Sequence, residues 1–334
     1  MAEWHQNYPK GIPPQVEVEN YASIVELIEQ SAQKFSDRPA FSNMGVDLSY
    51  SEVDRLSTYF ASYLVNQCGL KKGDRIAIQL PNLLQYPVVM FGAIKAGLVV
   101  VNTNPLYTER EMAHQFKDSG AQAIVILANF AHMLEKVIDQ TEIKHVVITE
   151  LGDLFPSFKR LMVNSAVKYF KKMVPAYKVP GARSLLSCLE EGKGKSFTPV
   201  KSQREDLVFL QYTGGTTGVA KGAMLTHGNI IANMNQIFAW MSPTFIEGKE
   251  IIVTPLPLYH IFSLTVNCLA LMVYGAQNIL ITNPRDIDGF IKTLKKYPFS
   301  VLTGVNTLFN ALVNHKDIGT VDFSHVKLSV AGAM

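Results

Sequence analysis

Apolar positions along the chain follow two alternating rhythms. Ile24, Leu27, Ile28 and Phe35 recur at helical spacing behind Ser23 and Glu26, a capping-box pair. Val53, Leu56, Phe60 and Leu64 line the next helical face, behind Ser49 or Ser51 as the cap. Residues 75–80 read as a strand, 84–96 as a helix stopped at Gly97, and 98–101 as a continuous β-branched run, hence a buried strand. Thr108 and Glu111 form another capping box before Ala113 and Phe116. Segments 123–127 and 145–149 are further buried strands, with a helical stretch at 130–139 between them. The rhythm lapses over 151–202, which is rich in Lys, Pro and Gly. It resumes with strands near 207–211, 249–254, 299–303 and 328–330 and helices near 229–240 and 286–296. Helices alternating with continuous apolar strands predict an α/β fold whose mostly parallel sheets are covered by helices. Two lobes are expected, 1–200 with a basic excursion near 151–202, and 203–334.

Composition narrows the class. The chain has 334 residues, of which 48% are apolar and 18% charged, with a formal charge of +3. That excludes disorder, and 22 Gly, 16 Pro and 3 Cys exclude a collagen or a disulfide scaffold. A charge of +3 spread over this length supplies no field for gripping nucleic acid. Cys68, Cys188 and Cys268 are far apart and odd in number, which suits a reducing compartment. Residues 1–10 hold no apolar signal segment, so a cytoplasmic location is expected.

Two stretches bear on membranes. From Ile251 to Pro284 the chain holds no Asp, Glu, Lys or Arg. Yet Ser263, Thr265, Asn267 and the Tyr274-Gly275 break predict a strand, a buried helix and a second strand at 278–282. Between Asp153 and Glu190 lie Lys159, Arg160, Lys168, Lys171, Lys172, Lys178 and Arg183 with no acid. Val163, Val167, Phe170 and Val174 recur there at helical spacing. Two readings stand: a helix packed by that face on its own domain, or a basic amphipathic helix lying peripherally on an anionic membrane.

The segment with most chemistry is Tyr212-Thr213-Gly214-Gly215-Thr216-Thr217-Gly218-Val219-Ala220-Lys221-Gly222. It follows a predicted buried strand, where α/β sheets place ligand loops. Its glycines let backbone N–H groups converge on an anion, its threonines add hydroxyl donors, and Lys221 adds a point charge. These are the parts of a polyphosphate grip. A Walker A loop requires Gly-Lys-Ser/Thr, whereas Ala220 precedes Lys221 and Gly222 follows it.

Residues 213–221 resemble the phosphate-loop signature of the adenylate-forming enzymes, which include acyl-CoA synthetases, luciferases and peptide-synthetase adenylation domains. Collinear matches are Leu48-Ser49-Tyr50, Lys95-Ala96-Gly97, Val100-Val101-Asn102, Asn104-Pro105-Leu106-Tyr107, Pro255-Leu256-Pro257-Leu258-Tyr259-His260, Ile281-Thr282-Asn283-Pro284-Arg285-Asp286, Thr303-Gly304-Val305-Asn306-Thr307 and Ala331-Gly332-Ala333-Met334. Together they resemble bacterial long-chain-fatty-acid–CoA ligases over essentially the whole chain. The resemblance implies a two-lobed adenylation-domain fold of the acetyl-CoA synthetase/luciferase type. It implies a ligase that converts a long-chain fatty acid, ATP and coenzyme A, through an acyl-adenylate, to acyl-CoA, AMP and pyrophosphate.

The resemblance also assigns roles. Thr213, Gly214, Gly215, Thr216, Thr217, Gly218 and Lys221 hold the β- and γ-phosphates of ATP. His260 walls the carboxylate and α-phosphate site as the catalytic candidate, and Val305, Thr307, Leu308, Gly332 and Ala333 line the acyl site. Where some relatives place a gating Trp, this chain reads Phe262-Ser263-Leu264. Mg²⁺ is implied by the triphosphate, with no ligand cluster visible in the chain. A homodimer is expected, and the basic stretch between Asp153 and Glu190 allows a peripheral place on the inner face of the cytoplasmic membrane. The adenine- and Mg²⁺-binding motif, the ribose-binding Asp, the hinge and the small C-terminal domain of the family do not occur in these residues. The chain is therefore expected to be a truncated fold with little or no ligase activity alone. A non-catalytic nucleotide- or acyl-binding or dimerising fragment, and a ligase for medium-chain or aryl acids, stand as alternatives.

Overall fold

The structure is a computed structural model that describes residues 3–213 and 220–332. In chain order its strands are β1 (Pro39–Asn43), β2 (Val46–Ser49), β3 (Arg75–Gln79), β4 (Val99–Asn102), β5 (Ala121–Leu127), β6 (His145–Thr149), β7 (Arg183–Ser184), β8 (Leu207–Thr213), β9 (Lys221–Thr226), β10 (Ile251–Thr254), β11 (Gln277–Leu280), β12 (Val301–Gly304) and β13 (Leu328–Ala331). They form two sheets in two compact units, one of residues 51–226 and one of 1–50 with 227–334.

In the unit of 51–226 the order is β7-β6-β5-β3-β4-β8-β9, parallel except for the antiparallel pairing of β9 with β8. β3, β4 and β5 carry almost unbroken apolar runs because both faces of the sheet are covered. The helix Gln85–Lys95 is buried at every position, consistent with its lack of a polar face. Thr108 caps the helix Glu109–Ser119 with the full reciprocal box: its hydroxyl accepts from Glu111 N–H, and the Glu111 carboxylate accepts from Thr108 N–H. Those bonds hold the Glu111 carboxyl below the ordinary carboxylate range.

The other unit orders its strands β13-β12-β10-β11-β1-β2, parallel except for the β1–β2 hairpin. Here Ser23 caps the helix Ile24–Lys34. The first free N–H of that helix, Ile24, donates to Nδ1 of buried His227, which starts the helix His227–Met241. Tyr50, buried at the end of β2, donates its hydroxyl to the Ala276 carbonyl (2.8 Å) ahead of β11.

These pairings correct the expected lobes 1–200 and 203–334. Residues 1–50 join 227–334 because β1 lies parallel to β11. The strand before the glycine loop, β8, stays with residues 51–226 because it lies parallel to β4. The apolar stretch 251–284 is β10, a helical segment Ile261–Ala270 and β11, as expected. Among the described residues no helix is long and apolar enough to cross a membrane.

Lys95 shows how the helix Tyr50–Asn66 is locked in place beyond Tyr50. Its side chain is fully buried, and its three ammonium protons meet the Asp54 carbonyl (2.9 Å), the Asp54 carboxylate (2.6 Å) and the Thr58 hydroxyl (2.9 Å). Lys95→Met removes all three donors and leaves these acceptors facing an apolar side chain. Because the Asp54 carboxylate keeps partial access to water, the expected loss is about 2 kcal/mol rather than the larger cost of a fully buried orphan. Urea denaturation with an unchanged m-value measures it.

Candidate functional site

The glycine segment is the connection of a hairpin. Thr213 ends β8 and Lys221 opens β9, and the two are cross-strand partners, both exposed. Gly214, Gly215, Thr216, Thr217 and Gly218 lie outside the described residues. Pairing of the stems brings Thr213 and Lys221 to one end of the hairpin. That end is the carboxyl end of β8, hence the carboxyl edge of the parallel part of the sheet.

Both stems are tied to the helix Glu109–Ser119. The Tyr212 hydroxyl donates to Asp118 (2.5 Å), and burial together with that carboxylate pushes the phenol well above its ordinary value, so it stays a donor. The Ala220 carbonyl is bonded to Nε2 of His114 (3.1 Å). A carbonyl only accepts, so Nε2 carries the proton. Gly222 lies on the Tyr212 ring, where a Cβ would approach to 2.9 Å. Beneath β8, the Asn102 amide donates to Gln211 (3.1 Å) and accepts from the Tyr86 hydroxyl (2.6 Å), all three residues being buried. His114 and Asp118 escaped the sequence reading; their one signal was their four-residue spacing on the face of a capped helix.

In the other unit a second group gathers at the carboxyl ends of β10 and β12. His260 caps the short helix Ile261–Ser263, its Nδ1 accepting from Phe262 N–H (3.4 Å). From Leu264 to Ala270 the helix continues with π geometry, a feature frequent at functional sites. Nδ1 as acceptor leaves Nε2 as the protonated nitrogen of the neutral ring. Residue His260 is exposed, yet the groups packed around the ring lower its pKa through desolvation.

Val305, Thr307 and Leu308 share a cavity of about 520 Å³ with Pro255, Leu256, Pro257 and Arg285. Leu308 also packs into the core behind it. Gly332 is not among the lining residues of that cavity. It lies against Phe262 (3.1 Å to a built Cβ) and donates its N–H to the Gly304 carbonyl. Ala333 lies outside the described residues. The sequence reading did not single out Arg285 as a site residue; it is an exposed cation on the cavity wall. No group of three or more His, Cys, Asp or Glu among the described residues is placed to hold a metal ion.

The sequence profile of the family described as AMP-binding enzyme matches residues 28–334. The chain belongs to this family. It is 53% identical over 331 residues to the long-chain-fatty-acid–CoA ligase of Escherichia coli O157:H7, covering 99% of this chain and 59% of that protein. The long-chain-fatty-acid–CoA ligase of Bacillus subtilis is 31% identical, with 99% and 58% covered. The chain thus spans about three-fifths of the length of these relatives. The crystal structure of a long-chain-fatty-acid–CoA ligase from Archaeoglobus fulgidus superposes with a TM-score of 0.76 at 22% identity, over 98% of this chain and 60% of that one. An anthranilate–CoA ligase in complex with anthranoyl-AMP gives the same TM-score at 16% identity, over 94% and 55%. These structures share the fold.

Two measurements check the local geometry. His114→Ala frees the Ala220 carbonyl, so amide exchange at 220–222 is expected to quicken about tenfold while the melting temperature hardly moves. His260 is expected to titrate below the ordinary value of about 6.5, with the Phe262 amide shifting in step because protonated Nδ1 no longer accepts. The sign follows: a group with its folded pKa depressed binds fewer protons folded than unfolded. Stability is therefore lost as pH falls from about 6.5 through the folded pKa.

Proposed function

We propose that this chain supplies the phosphate grip and the acyl pocket of an ATP-dependent long-chain-fatty-acid–CoA ligase. The observation that carries the reading is the apolar cavity at the carboxyl ends of β10 and β12, with Val305, Thr307 and Leu308 on its wall. Its volume lies within the roughly 300–1,000 Å³ usual for small-molecule sites. The long-chain-fatty-acid–CoA ligases at 53% identity support the choice of substrate.

In this reading a fatty-acid carboxylate oxygen attacks the α-phosphorus of ATP. The bond from that phosphorus to the bridging oxygen breaks, and pyrophosphate leaves with the bonding pair. Thr213, Gly214, Gly215, Thr216, Thr217 and Gly218 donate N–H and hydroxyl hydrogen bonds to the departing phosphates, and Lys221 offsets part of their charge. His260 is neutral at pH 7 and offers its Nε2 proton to the carboxylate or α-phosphate oxygen. The coenzyme A thiolate then attacks the acyl carbonyl and AMP departs. Mg²⁺ is implied by the triphosphate, whose oxygens would hold it. Fatty acids that partition into bilayers favour an enzyme lying peripherally on the inner face of the cytoplasmic membrane. A homodimer belongs to the same reading, and sedimentation velocity tests it.

Calorimetry of this chain with ATP and with a chain-length series of fatty acids tests the proposal. ATP is expected to bind, and Lys221→Ala to weaken it about tenfold through one lost charge-assisted contact. Oleate is expected to bind more tightly than octanoate or benzoate. In a chain of the relatives' full length, His260→Ala is expected to cut fatty-acid-dependent pyrophosphate release about a hundredfold. Tighter binding of a medium-chain or aryl acid moves the substrate class, and ATP or oleate binding without pyrophosphate release from the full-length chain leaves a binding module.

A further inference from the structure

The segment 157–178 is folded the wrong way round for an ordinary surface helix. The helix Ser157–Ser165 and the π turn Ala166–Phe170 form one continuous rod. Toward its own unit it sends Asn164, whose side chain accepts from Gly152 N–H (2.7 Å) and donates to buried Asp153 (3.1 Å). Val163, Val167 and Val174 are half-buried. Outward it shows Phe158, Leu161 and Met162, spaced i, i+3 and i+4 on one face, then Tyr169, Phe170 and Met173. Phe158 is 75% and Phe170 85% exposed. With Tyr177, seven of the fourteen exposed large apolar side chains among the described residues fall within this segment. The apolar line Val163, Val167, Phe170, Val174 therefore splits: its valines turn inward while Phe170 joins a second, outward apolar face.

Cations flank this face. Lys159 lies over the Phe155 ring and Lys168 over Tyr169, and Arg160, Lys171, Lys172 and Lys178 follow with no acid between Asp153 and Glu190. The acids near the segment lie on its inward side: Glu150, 3.9 Å from Lys168, Asp153 in the groove that Leu161 and Lys168 also line, and Glu135, whose carboxylate accepts from Lys178 N–H (3.0 Å). Exposed aromatics and aliphatics bordered by long basic side chains match a bilayer interface, with rings at the acyl boundary and ammonium groups among anionic headgroups. A protein partner would need acidic residues around an apolar patch; an anionic bilayer has both parts.

We propose that the outward face of 157–173 is a docking surface for an anionic phospholipid bilayer, with Phe158, Leu161 and Phe170 inserting and Lys159, Lys171 and Lys172 meeting headgroups. This rests on the peripheral placement above and is independent of the adenylation chemistry.

The test is co-sedimentation of this chain with vesicles of phosphatidylcholine alone or with about 30 mol% phosphatidylglycerol. Binding to the anionic vesicles is expected to be at least about tenfold tighter and to weaken with salt. The pair Phe158→Ser/Phe170→Ser and the triple Lys159→Gln/Lys171→Gln/Lys172→Gln are each expected to lose about tenfold or more, with ATP binding unchanged. Should the pair fail to fold, Phe170→Trp read by bromolipid quenching replaces it, and efficient quenching of the introduced indole supports insertion. The proposal falls if wild type does not bind, if neutral vesicles bind equally, if both variants bind like wild type, or if the indole of the Phe170→Trp variant is not quenched. It also falls if the face instead holds a lipid-free dimer that both variants dissociate. A wild-type chain that binds ATP but no vesicles overturns the membrane surface and leaves the ligase reading standing.

Discussion

One buried amide pair governs the half of the molecule that carries the glycine hairpin. Asn102 at the end of β4 and Gln211 near the end of β8 are hydrogen-bonded away from water, and Tyr86 occupies the remaining Asn102 acceptor. An unpaired amide here would cost its full desolvation penalty, so the two strands are held in the one register that pairs them. That register sets Tyr212 within reach of Asp118 and leaves Thr213 opposite Lys221. Every property of the hairpin stems follows from where β8 lies.

The other unit uses the same device. Buried Asn267 donates to the hydroxyls of Thr254 on β10 and Thr303 on β12 (3.0 and 2.8 Å), and Asn278 on β11 donates to the Asn267 carbonyl. Three adjacent strands are thus joined through one residue, just short of Pro255 and Val305 on the cavity wall. Polar networks beneath the strand ends occur in both units, and in this one a ligand-sized cavity lies beyond them.

Much of the family resemblance lies in residues that build rather than bind. Tyr50 seats the hairpin β1–β2, Lys95 locks a helix, and Asn102 pairs strands. The capping pair Thr108/Glu111 and the continuous runs of β3–β6 were legible because each is decided by neighbours in sequence. β1, β2, β7 and β9 were not: each is short or carries polar residues, and each exists because another strand offers it a free edge. His114 escaped for the same reason, since its partner Ala220 lies far along the chain.

By itself the sequence determined the fold class, the helix caps, the phosphate-loop signature and the basic character of 151–202, because local periodicity, capping chemistry and charge need no partner. Only the tertiary structure decided that residues 1–50 belong with 227–334, that β8 and its hairpin belong with 51–226, and that Val305, Thr307 and Leu308 share a cavity while Gly332 packs on Phe262. It also decided which apolar side chains of 157–173 face water. Strand order and facing are settled by which distant edges and surfaces become buried together, and that free energy is written in no single stretch of the chain.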